Sequence, residues 1–580
     1  MKRSIWRLAL AVVAASVVGG AVNRAAAKTW TGAGSDGKWS TGANWGGTAI
    51  NGTTDSAVFA GTTNLATSND LTGASVASIS FSAGAGAFTL DGNAAKLAGN
   101  VTNSSTNTQT INIGLNLTAG RTFTTATGGG NLIIGGNVAG DGTNNYLLTL
   151  AGAGAGTING SVTATGITLN ANTNWTLNAA NTFSGVTSGT VDTQTFTTGV
   201  TMTNAGASLT IGNDAALGNK TFLVGNGASG TGPVLNVGGT GTRTIGNQIV
   251  TNNSNFGITG NDLKVNGQLL FGGTNQITVN NNTTFSGGVA IRNSSSGTGR
   301  TATFAGSGVV TIDSAIVNGA DNNASFAGAV MYAGSGTLKL SGNNTYTGLT
   351  TVSSGGTLVM NGTHNPFNTA NSTVTGGAYS VSGTLAGTGT INPSSGVANV
   401  ITINSGGTLS PGDTTLATAA QTGTLDLGNS LVFAASATNS SSFNVQLGGV
   451  LPGDGIGKYD QVNVTSTAAN AVSLGSGVNL NLSLVNNFTP AAGEAFYFLT
   501  RADSTLFGAN AFYNLPEGTA IDLGSGVAGY ITYKANWTGT QAGSSTLGGN
   551  DVALVITAAP EPASLALIGL AGLGLLRRRR

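Results

Sequence analysis

Apolar residues recur at every second position along much of the chain. Ile111, Ile113, Leu115 and Leu117 form one such set, and Val478, Leu480, Leu482 and Leu484 form another. A period of two places each set on one face of a β-strand. Clusters of Gly, Asn and Ser separate the runs and supply tight turns and residues that tolerate positive φ. Strong helix formers such as Glu, Lys, Gln and Arg are scarce. The pattern therefore predicts an all-β chain of many short strands without long soluble helices.

The two ends depart from this alternation. At the start, Lys2, Arg3 and Arg7 precede the apolar run Leu8 to Val18, and Ala25-Ala26-Ala27 follows. A basic, then apolar, then small-residue order predicts a signal peptide over 1–27, with Ala25 and Ala27 presented to signal peptidase and cleavage before Lys28. At the other end, Pro560-Glu561-Pro562 leads into the uncharged run Ala563 to Leu576 and then Arg577, Arg578, Arg579 and Arg580. A short apolar helix closed by cations is retained by a membrane, with the arginines held by anionic headgroups on the cytoplasmic side. Fourteen helical residues reach only about 21 Å, less than a hydrocarbon core of about 30 Å, which suits temporary rather than permanent anchoring. These three parts closely resemble the PEP-CTERM sorting signal of exported bacterial proteins. The resemblance implies transient inner-membrane anchoring and cutting near Pro560-Glu561-Pro562 by an exosortase.

Composition narrows the body of the chain. Charged residues make up only 7% of the whole sequence, against about 25% in ordinary proteins. Low charge combined with abundant β-branched residues argues for a folded chain, because disorder goes with low hydrophobicity and high net charge. Setting aside residues 1–27 (four basic) and 560–580 (four Arg and Glu561) reduces 21 basic and 20 acidic residues to 13 and 19, a net charge of about −6. That balance excludes a protein that tracks nucleic-acid phosphates. Cysteine is absent, so burial and backbone hydrogen bonds must hold the exported fold without disulfides.

Internal similarity selects among all-β folds. Gly336-Thr337-Leu338-Lys339-Leu340-Ser341-Gly342-Asn343-Asn344-Thr345-Tyr346 continues to Val352 and is followed by Gly356-Thr357-Leu358-Val359-Met360. Partial copies of its middle stand at Asn181-Thr182-Phe183-Ser184-Gly185 and Asn282-Thr283-Thr284-Phe285-Ser286-Gly287, and Gly383-Thr384-Leu385 and Gly407-Thr408-Leu409 come downstream. The full stretch resembles the autotransporter-associated β-strand repeat of large exported bacterial proteins. That resemblance implies a right-handed parallel β-helix, or β-solenoid. After about residue 416 the strands lengthen and the loops shorten, which predicts a separate antiparallel or capping β region over the C-terminal 140 residues. At 20 to 25 residues per coil the body would form roughly 20 coils and a rod on the order of 100 Å long. The expected organisation is a signal peptide over 1–27, a Trp-rich cap over 28–60 and degenerate coils over 61–330. The repeat region covers 331–415, a C-terminal β region 416–557, and the sorting signal 558–580. Bare solenoid ends invite aggregation, so Trp30, Trp39 and Trp45 are read as an N-terminal cap, the alternative being a platform that stacks sugars.

Side chains able to do chemistry are few. The single histidine, His364, sits in Asn361-Gly362-Thr363-His364-Asn365-Pro366, which reads as a loop, and neither a Cys nor a second His is present to build a zinc site. Asp413, Asp454, Asp460 and Asp551 lie beside glycines or in repeat-associated segments, where a turn role suffices. Gly548-Gly549-Asn550-Asp551 is a single, weak match to a calcium-binding nonapeptide. No catalytic residue, metal or cofactor is assigned. The expected product is an exported, non-catalytic structural or adhesive component of the cell surface, outer membrane or extracellular matrix. A polysaccharide lyase or glycoside hydrolase on a β-helix is the enzymatic alternative. A carbohydrate-binding surface protein is the third. Expected partners are signal peptidase, an exosortase and extracellular polysaccharide, with no nucleic acid.

Overall fold

In strands such as Ser208–Ile211, Val234–Val237 and Thr337–Leu340 every second side chain is buried and its neighbours are only partly covered. Strands this short bury their apolar faces best when the chain turns corners and returns one strand spacing further along, so that faces from successive coils line one continuous core. A computed structural model of the chain shows that arrangement, a parallel β-helix. It describes residues 26–558 apart from 51, 127, 192–193, 203–204, 226–231, 293–298, 320–326, 367–376, 393–399, 437–439 and 508–509.

Parallel ladders form the faces of the rod. One runs from Ala26–Trp30 through Asp55–Phe59 to Ile316–Asn318, and its side of the rod is taken over by a ladder running from Asn343–Asn344 to Ala495–Arg501. A second runs unbroken from Ala66–Asn69 to Val472–Leu474 and contains 17 strands. A third runs from Arg243–Ile245 through Thr337–Leu340 and Thr408–Pro411 to Ser441–Leu447 and Val478–Leu484. Along the first side, 13 strands and then six more stack among the described residues, and 19 strands at about 4.8 Å make a rod of about 90 Å, close to the roughly 20 coils expected above. The coils are unequal in length. Paired positions Ile249 and Leu269 are 20 residues apart, Leu358 and Leu385 are 27, and Leu427, Val464 and Arg501 are 37 and again 37.

The recurring Gly-Thr-Leu triplets occupy equivalent places in successive coils. Thr337, Thr357, Thr384 and Thr408 pair in sequence along one outward column, and Leu338, Leu358, Leu385 and Leu409 pair beside them along a buried one. Glycine serves the corners, where coils approach most closely. A Cβ on Gly362 would lie 2.1 Å from the carbonyl oxygen of Gly342, and one on Gly389 would lie 2.1 Å from that of Gly362.

Parallel pairing crosses residue 416 without interruption, since Thr424–Leu427 pairs with Gln461–Val464 and Ser430–Ala434 with Val472–Leu474. The change to antiparallel pairing comes at Ala495–Arg501, which joins Asp551–Ala558, followed by Val527–Ala535 and Ala520–Gly524. These last strands form the C-terminal cap.

At the other end Trp30, Trp39 and Trp45 are 1%, 0% and 4% exposed. The ring of Trp45 packs edge-on against Trp30 at 4.9 Å and against Trp39 at 5.8 Å, with Phe59 beside all three. Trp39 donates its indole N–H to Thr67 Oγ1 and Trp45 donates to the Trp39 carbonyl. No ring face is left open, so the sugar-stacking alternative for this cluster is corrected: the rings are spent on the first coils of the core.

Ala27 lies exposed in the strand Ala26–Trp30, which pairs with Asp55–Phe59. Ala25, Pro560, Glu561, Pro562, the apolar run Ala563 to Leu576 and Arg577 to Arg580 lie outside the described residues. Among the described residues no helix is long and apolar enough to cross a membrane.

Candidate functional site

His364 is the first residue whose place differs from the sequence reading. It lies in the strand Thr363–His364, not in a loop, and its fully buried ring continues a column that runs from Asn344 to Ile391. The flanking Asn-Gly and Asn-Pro pairs are the corners of a two-residue strand, which is why the segment reads as a turn. The ring stacks on Tyr346 at 4.1 Å between centroids and meets Tyr379 edge-on. Nε2 faces the Tyr346 carbonyl at 2.9 Å and therefore carries the proton, leaving Nδ1 to accept from the Tyr379 hydroxyl at 2.7 Å. Burial pulls the imidazole down to about 4, so it is neutral at ordinary pH. Its hydrogen-bond partners are the Tyr346 carbonyl and the Tyr379 hydroxyl, both within the core.

Each carboxylate singled out by the sequence is held by structural bonds. Asp413 accepts from Lys339 Nζ and Asn361 Nδ2, both at 2.6 Å, and from the Thr415 N–H at 2.9 Å. Burial pushes its carboxyl upward, but these bonds outweigh burial and hold it below the usual range. The effect is to clamp the loop after Thr408–Pro411 to Asn361 two coils back and Lys339 three coils back. Asp454 accepts from the Thr424 N–H at 3.1 Å. Asp460 accepts from the N–H groups of Gly423 and Gln446, both at 2.8 Å, while burial lifts it to about 8. Asp551 accepts from the N–H groups of Arg501 at 2.7 Å and Trp537 at 2.6 Å, and burial raises it to about 6. Asn550, beside it, donates to the carbonyls of Asp503 and Thr505, so this stretch ties down the cap.

Arg501 and Asp503 form a charged pair that sequence reasoning missed. Arg501 Nε donates to Asp503 Oδ1 at 2.8 Å and Nη2 to Oδ2 at 2.6 Å, with both side chains 1% exposed. The guanidinium also lies over the Phe507 ring at 4.4 Å. For Asp503, burial raises the carboxyl and the bonds from Arg501 more than reverse it. The available signal was Arg501-Ala-Asp503 itself, two opposite charges on one face at the end of an apolar strand in a chain that has few charges.

Three clefts lie at the C-terminal end. Their volumes are about 410, 550 and 350 Å³, and their linings include Glu517, Glu494 and Asp522 respectively, one carboxylate in each. Glycoside hydrolysis takes two carboxyl groups flanking one bond. Glu517 is already engaged, accepting from Thr532 Oγ1 and the Tyr533 N–H, and Glu494 accepts from the Ala491 N–H. Among the described residues no group of three or more His, Asp or Glu side chains is placed to hold a metal ion.

A family model described as passenger-associated-transport repeat matches residues 332–360, and one described as PEP-CTERM protein-sorting motif matches residues 558–580. No curated protein and no solved structure matches the chain. The first match spans slightly more than one coil, from Tyr332 to the paired strands Thr337–Leu340 and Thr357–Met360. The second coincides with the Pro-Glu-Pro, apolar and arginine parts. The chain is thus an exported β-helix that carries a passenger-type repeat and a PEP-CTERM sorting signal of the kind an exosortase recognises.

Proposed function

We propose that the protein is a non-catalytic rod, a structural or adhesive component placed at the cell surface or in the extracellular matrix through its sorting signal. The observation that supports this reading most is the engagement of its carboxylates. Asp413, Asp460 and Asp551 bind one coil, loop or strand to another, and Asp503, paired with Arg501 two residues away, also accepts from the Ala471 N–H. A rod whose rare charges are used as internal clamps offers shape and length rather than a reacting group. Its outward hydroxyl column through Thr337, Thr357, Thr384 and Thr408 continues to Ser442 and is prolonged by the amide of Asn479. Regularly spaced hydroxyls favour a carbohydrate-binding role as the second reading, each contact weak and the sum raised by repetition. The test is a screen of residues 28–558 against neutral and acidic glycans, following both turnover and retention. The proposal expects no turnover. Any turnover abolished by changing one Asp or Glu would replace it with the lyase or glycosidase reading.

A further inference from the structure

The C-terminal end of the rod is left with two strands whose outer edges take no further strand among the described residues, the Tyr513 N–H capping only the Val478 carbonyl at 2.8 Å. Val478–Leu484 pairs only with Ser441–Leu447, and Ala520–Gly524 only with Val527–Ala535. Between them lies the groove of about 350 Å³, floored by Leu480, Leu482, Leu515, Ile521 and Leu523. These five side chains are only partly buried, although they pack against the main core. An unpaired strand edge beside alternating apolar side chains is what a peptide needs in order to add as a further strand.

The position of the chain end selects the occupant. Ala558 pairs with Ala528, and Ala528 pairs with Asp522 at the rim of the groove, so the sorting tail starts two strand spacings away, about 10 Å. Residues 559–562, fully extended, span up to about 14 Å, enough to bring Ala563 over the groove. From there Ser564-Leu565-Ala566-Leu567 alternates, so an extended tail would turn Leu565 and Leu567 to one side, as Leu480 and Leu482 or Ile521 and Leu523 are arranged. Charge agrees with this: residues 441–558 hold seven acidic and three basic residues, net −4, and the tail 559–580 holds four Arg and one Glu, net +3. We infer that this groove takes up the beginning of the chain's own sorting tail as an added strand and covers its apolar run until a membrane competes for it. This goes beyond the structural or adhesive role and does not depend on it.

Hydrogen exchange on the chain from Lys28 to Arg580, against the chain from Lys28 to Ala558, tests the inference, since the core closes between Trp30 and Ile556. The expected result is at least tenfold slower exchange at Val478–Leu484 and Ala520–Gly524 in the longer chain, independent of protein concentration, with other ladders unchanged. Equal exchange in the two chains overturns it. So does protection that grows with concentration and accompanies dimer sedimentation, which would make a second copy the occupant. Leu482→Ser supplies an independent arm: it should increase flotation of the longer chain with phosphatidylglycerol vesicles several-fold and leave that of the shorter chain unchanged. Unchanged flotation of the longer chain also overturns the inference.

Discussion

The coils bearing Gly-Thr-Leu and the last coils before the cap solve the same stacking problem with different means. Between Gly336 and Leu409 identical residues meet identical residues, threonine on threonine outside and leucine on leucine inside, with glycine at the corners. Between Asp460 and Ala558 the coils are longer and the strands change from parallel to antiparallel, and repetition ends. There the buried groups include Asp460, Arg501, Asp503 and Asp551. The difference teaches that a repeat can distribute stability evenly over many small equivalent contacts, whereas a terminus that must stop the stack concentrates it in a few polar bonds. The first kind tolerates loss of a side chain, and the second kind does not.

The largest expected effect therefore lies in the terminal region. Asp503→Ala removes both acceptors of Arg501 and leaves a guanidinium that is 1% exposed without its counter-charge. Breaking a buried pair on one side typically costs about 3–5 kcal/mol. Urea unfolding followed by tryptophan fluorescence should show the cap, with Trp537, melting before the N-terminal tryptophan cluster. A single unchanged transition would mean that the pair does not carry the cap.

Next comes acid, acting in the repeat region through His364. The unfolded chain protonates this residue near 6.5, the folded chain only near 4, so the stability it protects is complete above 6.5 and is lost as the pH falls towards 4. Over that window the loss approaches about 3 kcal/mol. The groups facing it, Tyr346 and Tyr379, are raised by burial and stay neutral throughout, so they do not contribute. Asp460 works in the opposite sense, since its raised carboxyl favours the folded state as the pH falls below about 8. Comparing the parent with His364→Leu at pH 7 and pH 5 isolates the histidine: the variant should lose less stability on acidification. Smaller again is Gly362→Ala, whose methyl meets the Gly342 carbonyl at 2.1 Å. Overpacking of this kind costs about 1–3 kcal/mol, measurable as a lower urea midpoint.

Much of this contrast could be read before the structure, and the unread part has a physical reason. Alternation at Ile111 to Leu117 and the Gly-Thr-Leu triplets specify strands and their stacking, because each side chain's face follows from its position in a period of two. The sorting tail was equally legible, being defined by composition alone. His364 was misread because a corner on either side of a two-residue strand has the same residues as a loop. The Arg501–Asp503 pair left a local signal that went unused, whereas the shared roles of Asp460 and Asp551 were illegible for another reason. Their partners stand 37 residues away at Gly423, 14 at Gln446 and 50 between Arg501 and Asp551, distances set by coil length, which the sequence leaves variable. An antiparallel or capping region was legible in the longer strands after about residue 416, but its start at Ala495–Arg501 was not, since alternation is the same for either direction.

The smallest expected effect is the one that sharpens the comparison most. Thr384 occupies the middle of the outward hydroxyl column, flanked by Thr357 and Thr408 in neighbouring coils. If the repeat region spreads its stability over equivalent contacts, Thr384→Ala should change stability by no more than about 0.5 kcal/mol, because the strand register is fixed by Leu385 beneath and by its backbone bonds. The same substitution should nevertheless weaken retention on any glycan that binds along this face, since it interrupts the column at its centre. A large fall in stability would show that the threonines hold the coils together, and the repeat would then resemble the cap in depending on individual side chains. Stability and retention both unchanged would leave the column as a solvated surface and remove the carbohydrate-binding reading. A small change in stability with reduced retention would separate the two jobs within one coil: leucine inside for the fold, threonine outside for the ligand.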